Sequence, residues 1–160
     1  MAAGAGKGKD EGIKLIAENR RARFDYAVED TVEAGMELLG SEVKSLRDGT
    51  TNLADSYALP TKDGQLFLHN AHIGKYNAAS VFGHDPLRAR RLLLHREEID
   101  RWATKVRERG YSIIPLKIYF KKGRAKVQLG LCKGKTHEDR RQDIKERETK
   151  REMDRALRRR

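Results

Sequence analysis

The residues whose types and spacing could do chemistry fall into three groups. Glu29-Asp30 with Glu33 holds the carboxylates that a Mg²⁺-dependent nuclease would need, His69 and His72 could approach a metal, and Gly134-Lys135-Thr136 has the ending of a phosphate-binding loop. Each group fails on spacing. On a strand, Glu29 and Glu33 lie on the opposite parity from Asp30, so the carboxylates diverge unless a sharp bulge intervenes. No Cys or carboxylate supports the two histidines, which read as neutral loop residues. The phosphate loop needs a Gly five residues before Gly134, where Leu129 stands, with Gly130 one place off. Cys132 is the single cysteine, which excludes a disulfide framework and a multi-cysteine zinc site, and it reads as buried and inert. No metal or cofactor is expected, and no enzymatic activity.

Charge points elsewhere. The 160 residues carry 35 Lys+Arg against 24 Asp+Glu, a net +11. Residues 133–160 hold twelve of the basic and seven of the acidic residues, or +5, residues 1–18 are neutral, and the remaining +6 lies between. Two separate basic regions are what a polyanionic partner, usually nucleic acid, calls for. The longest aliphatic run is Leu92-Leu93-Leu94, so a membrane span is not expected, and neither is a signal peptide at the Gly/Ala/Lys-rich start. A soluble, cytoplasmic, RNA-binding protein is the expectation.

The elements that must position such an interface are legible in part. Residues 1–12 read as a disordered segment. Val32, Ala34, Met36 and Leu38 alternate with Thr31, Glu33 and Glu37 in a strand, and Gly35 within it suggests a bulge that bends the sheet. Gly40-Ser41 offers a break and an N-cap for a short helix over 42–47, ended by Asp48-Gly49. Lys62-Asp63-Gly64 is a hairpin turn between 57–59 and 66–69, and residues 70–86 read as a strand end followed by a loop. His95 and Glu98 suggest a capped helix with Ile99, Trp102, Ala103 and Val106 on one face, closed by Gly110. A second hairpin turns at Lys122-Gly123. Its apolar face is Ile114, Leu116, Ile118, Phe120, Ala125, Val127, Leu129 and Leu131. Its other face, with Lys117, Tyr119, Arg124, Lys126 and Gln128, offers cations and an aromatic ring to RNA.

Short strands, a bending glycine, one amphipathic helix and one short helix predict a mainly β, α+β domain. Its expected form is a small antiparallel β-barrel of OB type over residues 13–132. Residues 133–160 differ. They pair opposite charges at four-residue spacing, as in Asp143–Arg147 and Glu146–Lys150, yet Ile144 and Met153 fall on opposite sides of a helix. A segment without an apolar stripe is expected to be a basic tail, disordered when free and helical when bound to a polyanion.

These residues also form an ordered series. Asn19-Arg20-Arg21-Ala22-Arg23-Phe24-Asp25-Tyr26, Glu33-Ala34-Gly35, Glu42-Val43-Lys44-Ser45-Leu46-Arg47, Asn52-Leu53 and Asp55-Ser56-Tyr57 come first. His84-Asp85-Pro86-Leu87-Arg88, Arg91-Leu92-Leu93-Leu94-His95, Pro115-Leu116-Lys117-Ile118-Tyr119-Phe120 and Gly130 follow. Lys133-Gly134-Lys135, Asp139-Arg140-Arg141 and Ile144-Lys145-Glu146-Arg147-Glu148 close it. Over residues 15–155 the chain resembles the SsrA-binding protein family, also called small protein B. The resemblance implies a bacterial, non-enzymatic adaptor on an OB-type barrel. Such an adaptor binds the tRNA-like domain of transfer-messenger RNA and brings it, with elongation factor Tu, to stalled ribosomes for trans-translation. Its C-terminal tail enters the empty mRNA channel near the decoding centre of the small subunit.

The resemblance implies RNA-binding roles for Asn19, Glu33, Leu93 and Lys126. Physically, Lys126 would neutralise a phosphate, and Glu33 would accept from base N–H groups, as on an unstacked guanine. Leu93 either packs under a splayed base or belongs to the core. Arg20, Arg21, Arg23, Lys44 and Arg47 are further candidate phosphate contacts. In the tail, Lys133, Gly134, Lys135, His137, Asp139, Arg140, Arg141, Lys145 and Arg147 would engage the ribosome. Family members often carry a ring just before this Asp; here Glu138 stands there and His137 one residue earlier. Either His137 takes the stacking role or the contact is lost. A monomer in a one-to-one complex with RNA is expected, and no membrane partner. The alternative is a general RNA-binding or ribosomal structural protein without that specificity.

Overall fold

The computed structural model describes residues 12–48, 50–75 and 84–159, the side chain of His137 excepted. The expected disordered start therefore lies, apart from Gly12, outside the described residues, as do Gly49 and residues 76–83 of the expected loop. The fold is mixed α+β. Among the described residues, nine strands run as β1 (Ile13–Glu18), β2 (Tyr26–Met36), β3 (Thr51–Asn52), β4 (Tyr57–Pro60), β5 (Leu66–His69), β6 (His72–Ile73), β7 (Arg90–Leu93), β8 (Ser112–Lys121) and β9 (Arg124–Gly134). Four helices are interspersed among the same residues: α1 (Ala22–Asp25), α2 (Gly40–Asp48), α3 (Arg96–Arg109) and α4 (His137–Arg158). None of the described helices is long and apolar enough to cross a membrane.

The sheet closes on itself. β8 pairs with β4, and the ring continues through β5, β7, β2 and β9 back to β8, with every pair antiparallel. β1 adds to the β4 side of β8, and β3 and β6 form a separate two-stranded ribbon. Inside the ring, Leu68, Ile73, Ile118, Val127, Leu129 and Leu131 are fully buried. Each such side chain contributes about 1.5–3 kcal/mol on leaving water. α3 lays Ile99 and Trp102 into the same core, and Gly110 ends it in the left-handed conformation at φ 68°. Lys122 and Gly123 both adopt positive φ, 52° and 77°, the geometry of a two-residue hairpin turn that matches the twist of β8 and β9.

Several local expectations are corrected. The bulge in β2 falls between Val28 and Asp30, where the register against β9 shifts, and not at Gly35. A second bulge, between Pro115 and Lys117, breaks the alternation of β8. Ile118 and Phe120 therefore face the barrel core, while Ile114 and Leu116 join Ala22 and Cys132 in a small cluster outside it. Tyr119, expected on an open face, is 5% exposed. His95 precedes α3 without a capping side-chain bond. Ser41 is committed to His84, its Oγ 2.9 Å from Nδ1. His69 and His72 stand in strands, with His69 stacked on Tyr57 at 5.5 Å between ring centroids.

A charged cluster inside the fold was not foreseen. Glu42 and Arg90 are both fully buried, joined at 2.5 Å, and Arg88 reaches the other carboxylate oxygen of Glu42. Arg90 also donates to the Ala71 and Pro86 carbonyls, and Glu42 accepts from the Leu39 N–H. Burial by itself would raise the Glu42 pKa, but the bonds from Arg88, Leu39 and Arg90 outweigh it and hold the carboxyl below its usual value. The cluster ties α2 to the start of β7 through Arg90 and to the segment before it through Arg88.

Candidate nucleic-acid interface

The strand register builds a notch on the outer face of the barrel. Leu93 of β7 lies opposite Gly35 of β2, Gly35 opposite Lys126 of β9, and Lys126 opposite Tyr119 of β8. One row thus crosses four strands with no side chain at its second position. A Cβ at Gly35 would stand 3.3 Å from Leu93 Cβ, so the glycine serves close approach. Glu33, two residues before Gly35, projects on the same face beside the notch.

The notch opens into a cleft of about 590 Å³ lined by Glu33, Gly35, Arg91, Leu93, Arg96 and Lys126, among others. Leu93 is 47% exposed, which resolves its two readings in favour of an accessible apolar surface. Glu33 accepts from the Tyr119 hydroxyl and from Lys121 Nζ at 3.4 Å. The Tyr119 bond, with help from Lys121 and Lys126 and against a smaller effect of burial, holds the Glu33 carboxyl below its ordinary pKa. Burial and the same bond push the Tyr119 hydroxyl far up, so it remains a donor. Lys117 Nζ lies 5.8 Å above the Tyr119 ring. The cleft therefore combines the anchored Glu33 and two further carboxylates, Asp63 and Glu98, with the cations Arg91, Arg96 and Lys126 and the exposed Leu93. Such a set can accept base N–H groups, neutralise phosphate and cover a base face.

Other expected RNA contacts lie apart from this cleft. Asn19 is spent on structure: its amide donates to the Leu53 and Pro115 carbonyls, and its Oδ1 accepts from Ala22 N–H. It thereby fixes the turn that presents Arg20, Arg21 and Arg23, all exposed. Arg21 pairs with Asp25 at 3.2 Å. Lys44 and Arg47 are exposed on α2, and the Arg47 guanidinium sits 5.8 Å from the Phe120 ring centroid.

The tail segment is one 22-residue helix, α4, and its start is built from the residues expected to meet the ribosome. Thr136 and Asp139 form a capping box, and the Thr136 bonds hold the Asp139 carboxyl below its usual range. Lys135 Nζ donates to the Arg23 carbonyl and pairs with Asp143, so neither Lys135 nor Thr136 serves a phosphate loop. Arg140 pairs with Asp25 at 3.7 Å, and Arg147 lies 5.5 Å over the Phe24 ring. Lys133 stands 5.9 Å over Tyr111, and Gly134 ends β9. Arg141 and Lys145 are exposed, and the His137 side chain lies outside the described residues. Beyond the first turns α4 leaves the body, with Ile144, Met153 and Leu157 exposed.

The three candidate carboxylates turn to different partners despite the bulge beside Glu29. Glu29 raises the pKa of the Tyr111 hydroxyl, Asp30 accepts from Trp102 Nε1 at 3.4 Å, and Glu33 is held by Tyr119. Among the described residues no group of His, Cys, Asp and Glu could hold a metal. Cys132 is fully buried, and burial pushes its thiol up to about 11. Sequence reasoning gave no role to the notch partners Arg91, which lies within the Arg91–His95 segment of the series, and Arg96, which no motif marked. It also misplaced Tyr119.

The family model for SmpB protein matches residues 16–159. The SsrA-binding protein of Myxococcus xanthus (strain DK1622) is 72% identical over 155 residues, covering 97% of this chain and 95% of that protein. That of Anaeromyxobacter sp. (strain Fw109-5) is 59% identical, with 99% and 96% covered. A solved chain described as "tmRNA-SmpB: a journey to the center of the bacterial ribosome" is 47% identical, with a TM-score of 0.65 over 78% of this chain and 87% of that one.

Proposed function

The chain belongs to the SmpB family of SsrA-binding proteins, and we propose that it binds transfer-messenger RNA and carries it to stalled ribosomes for trans-translation. The observation that carries the reading at residue level is the meeting of Glu33, Leu93 and Lys126 in one cleft. The closed ring is read as an OB-type barrel, residues 13–132, whose cleft takes an unpaired segment of the tRNA-like domain. Lys126 neutralises a phosphate, Leu93 covers a base and Glu33 accepts base N–H groups. Arg20, Arg21, Arg23, Lys44 and Arg47 extend the contact to neighbouring phosphates.

Residues 133–160 are read as the ribosome-binding tail: the first turns of α4 are held by the capping box and by contacts with α1, and the rest is ordered in the mRNA channel near the decoding centre and disordered away from it. The adaptor itself catalyses no reaction. It acts in the bacterial cytoplasm, one copy per RNA, alongside elongation factor Tu. A charge-only RNA binder is disfavoured because the cleft places a carboxylate where indiscriminate phosphate binding would place another cation.

The deciding experiment is a competition titration at about 150 mM salt, where exposed charges are largely screened. Labelled transfer-messenger RNA is challenged with excess tRNA and with duplex RNA. Resistance to both is expected; equal displacement by any RNA would reduce the protein to a general polyanion binder.

A further inference from the structure

We propose that Tyr119 is a positioning residue of the RNA cleft: its buried hydroxyl fixes the Glu33 carboxylate as an acceptor for base N–H donors, while Tyr119 itself does not touch RNA. This rests on the tmRNA-binding reading above and adds the group that makes the carboxylate selective.

The argument begins with what Glu33 would do alone. It is an exposed glutamate on β2, and both Lys121 and Lys126 act on it. A free side chain there would have its place set by those mobile ammonium groups alone, and Lys121 does pair with it at 3.4 Å. Tyr119 adds a second, fixed anchor from the far side of β9. Its ring is 5% exposed and lies opposite Lys126 in the ladder, so its position is set by the sheet. Its hydroxyl donates to Glu33 Oε2. Each carboxylate oxygen can accept about two hydrogen bonds. Acceptor capacity therefore remains, on a carboxylate beside the open cleft floored by Leu93. A buried tyrosine hydroxyl needs a partner in any case, and here that partner is the carboxylate assigned to reading a base.

The test is a double-mutant cycle in the full-length protein, with labelled tRNA-like domain as probe and ordinary tRNA as competitor. Tyr119→Phe keeps the ring and removes the hydroxyl. It is expected to weaken binding to the tRNA-like domain about tenfold, in line with the loss of one hydrogen bond to a charged group. The slope of affinity against salt should stay unchanged, because no phosphate contact is lost. In a Glu33→Ala background, Tyr119→Phe should have no further effect.

Wild-type affinity in Tyr119→Phe would overturn the proposal. So would an equal loss in both backgrounds, which would make Tyr119 a support of the sheet only. If Tyr119→Phe melts earlier, measuring all four proteins below every midpoint still reads the coupling. Failure of the wild type itself to prefer the tRNA-like domain over tRNA would instead defeat the functional reading, a separate result.

Discussion

The cleft and the C-terminal helix both present charged side chains and are proposed to meet transfer-messenger RNA and the ribosome respectively, yet they hold those side chains by opposite means. In the cleft, Glu33, Gly35, Leu93 and Lys126 stand on strands that also build the buried core. Moving any of them means moving the core. In α4, order comes from a capping box at Thr136 and Asp139 and from polar contacts of its first turns with α1. Its later turns touch solvent. A basic surface can therefore be preorganised by a core or assembled by local bonds, and the two should respond differently to the same kind of damage.

Removing the tail draws the sharpest line between them. A chain ending at Gly134 keeps every strand, so tmRNA binding should be unchanged while peptide tagging on stalled ribosomes is lost completely. A binding assay and a tagging assay on one preparation check this. Equal loss in both would erase the distinction. Next in size is Glu42→Ala, which leaves Arg90 charged and unpaired inside the fold. A loss of about 3–5 kcal/mol is expected in denaturant melts of the barrel.

Smaller effects refine the comparison. Lys126→Ala should weaken tmRNA binding and lower the magnitude of the salt slope by about one, read from titrations at several salt concentrations. Thr136→Ala should cost about 1 kcal/mol of local helix stability, visible in helical circular dichroism, with RNA affinity unmoved. Acid should act on the same cap. Asp139 has a folded pKa below its ordinary value, so its contribution is complete above the unfolded pKa and fades as pH falls through the folded one. The helix signal should drop in that acid range, and Asp139→Asn should abolish the dependence.

How much of this could be read from sequence depends on which physics set each feature. The hairpins at Gly64 and Gly123, the face of α3 and its end at Gly110 follow from local periodicity and turn chemistry, and the structure repeats them. Closure into a ring was suggested by strand lengths, but the bulges that bend β2 and β8 leave no mark in an alternating pattern. Leu116 was therefore assigned to the wrong face, and Tyr119 to the open one. Glu42, Arg88 and Arg90 look like surface residues in any composition, and only distant pairing reveals them as buried. At the site, Glu33, Leu93 and Lys126 came from family resemblance; their convergence depends on the register of three strands, which no single segment encodes.

Ring closure has a consequence for how the protein behaves in company. In the main sheet, among the described residues, only β1 has a single neighbour. Unpaired strand edges are templates on which other chains add strands and aggregate. Here that edge is short, carries Lys14 and Glu18, and is kinked where the register slips between Leu15 and Ala17. A second copy would find no regular ladder to extend. At this edge, then, an incoming strand finds only a short, interrupted template to zip onto.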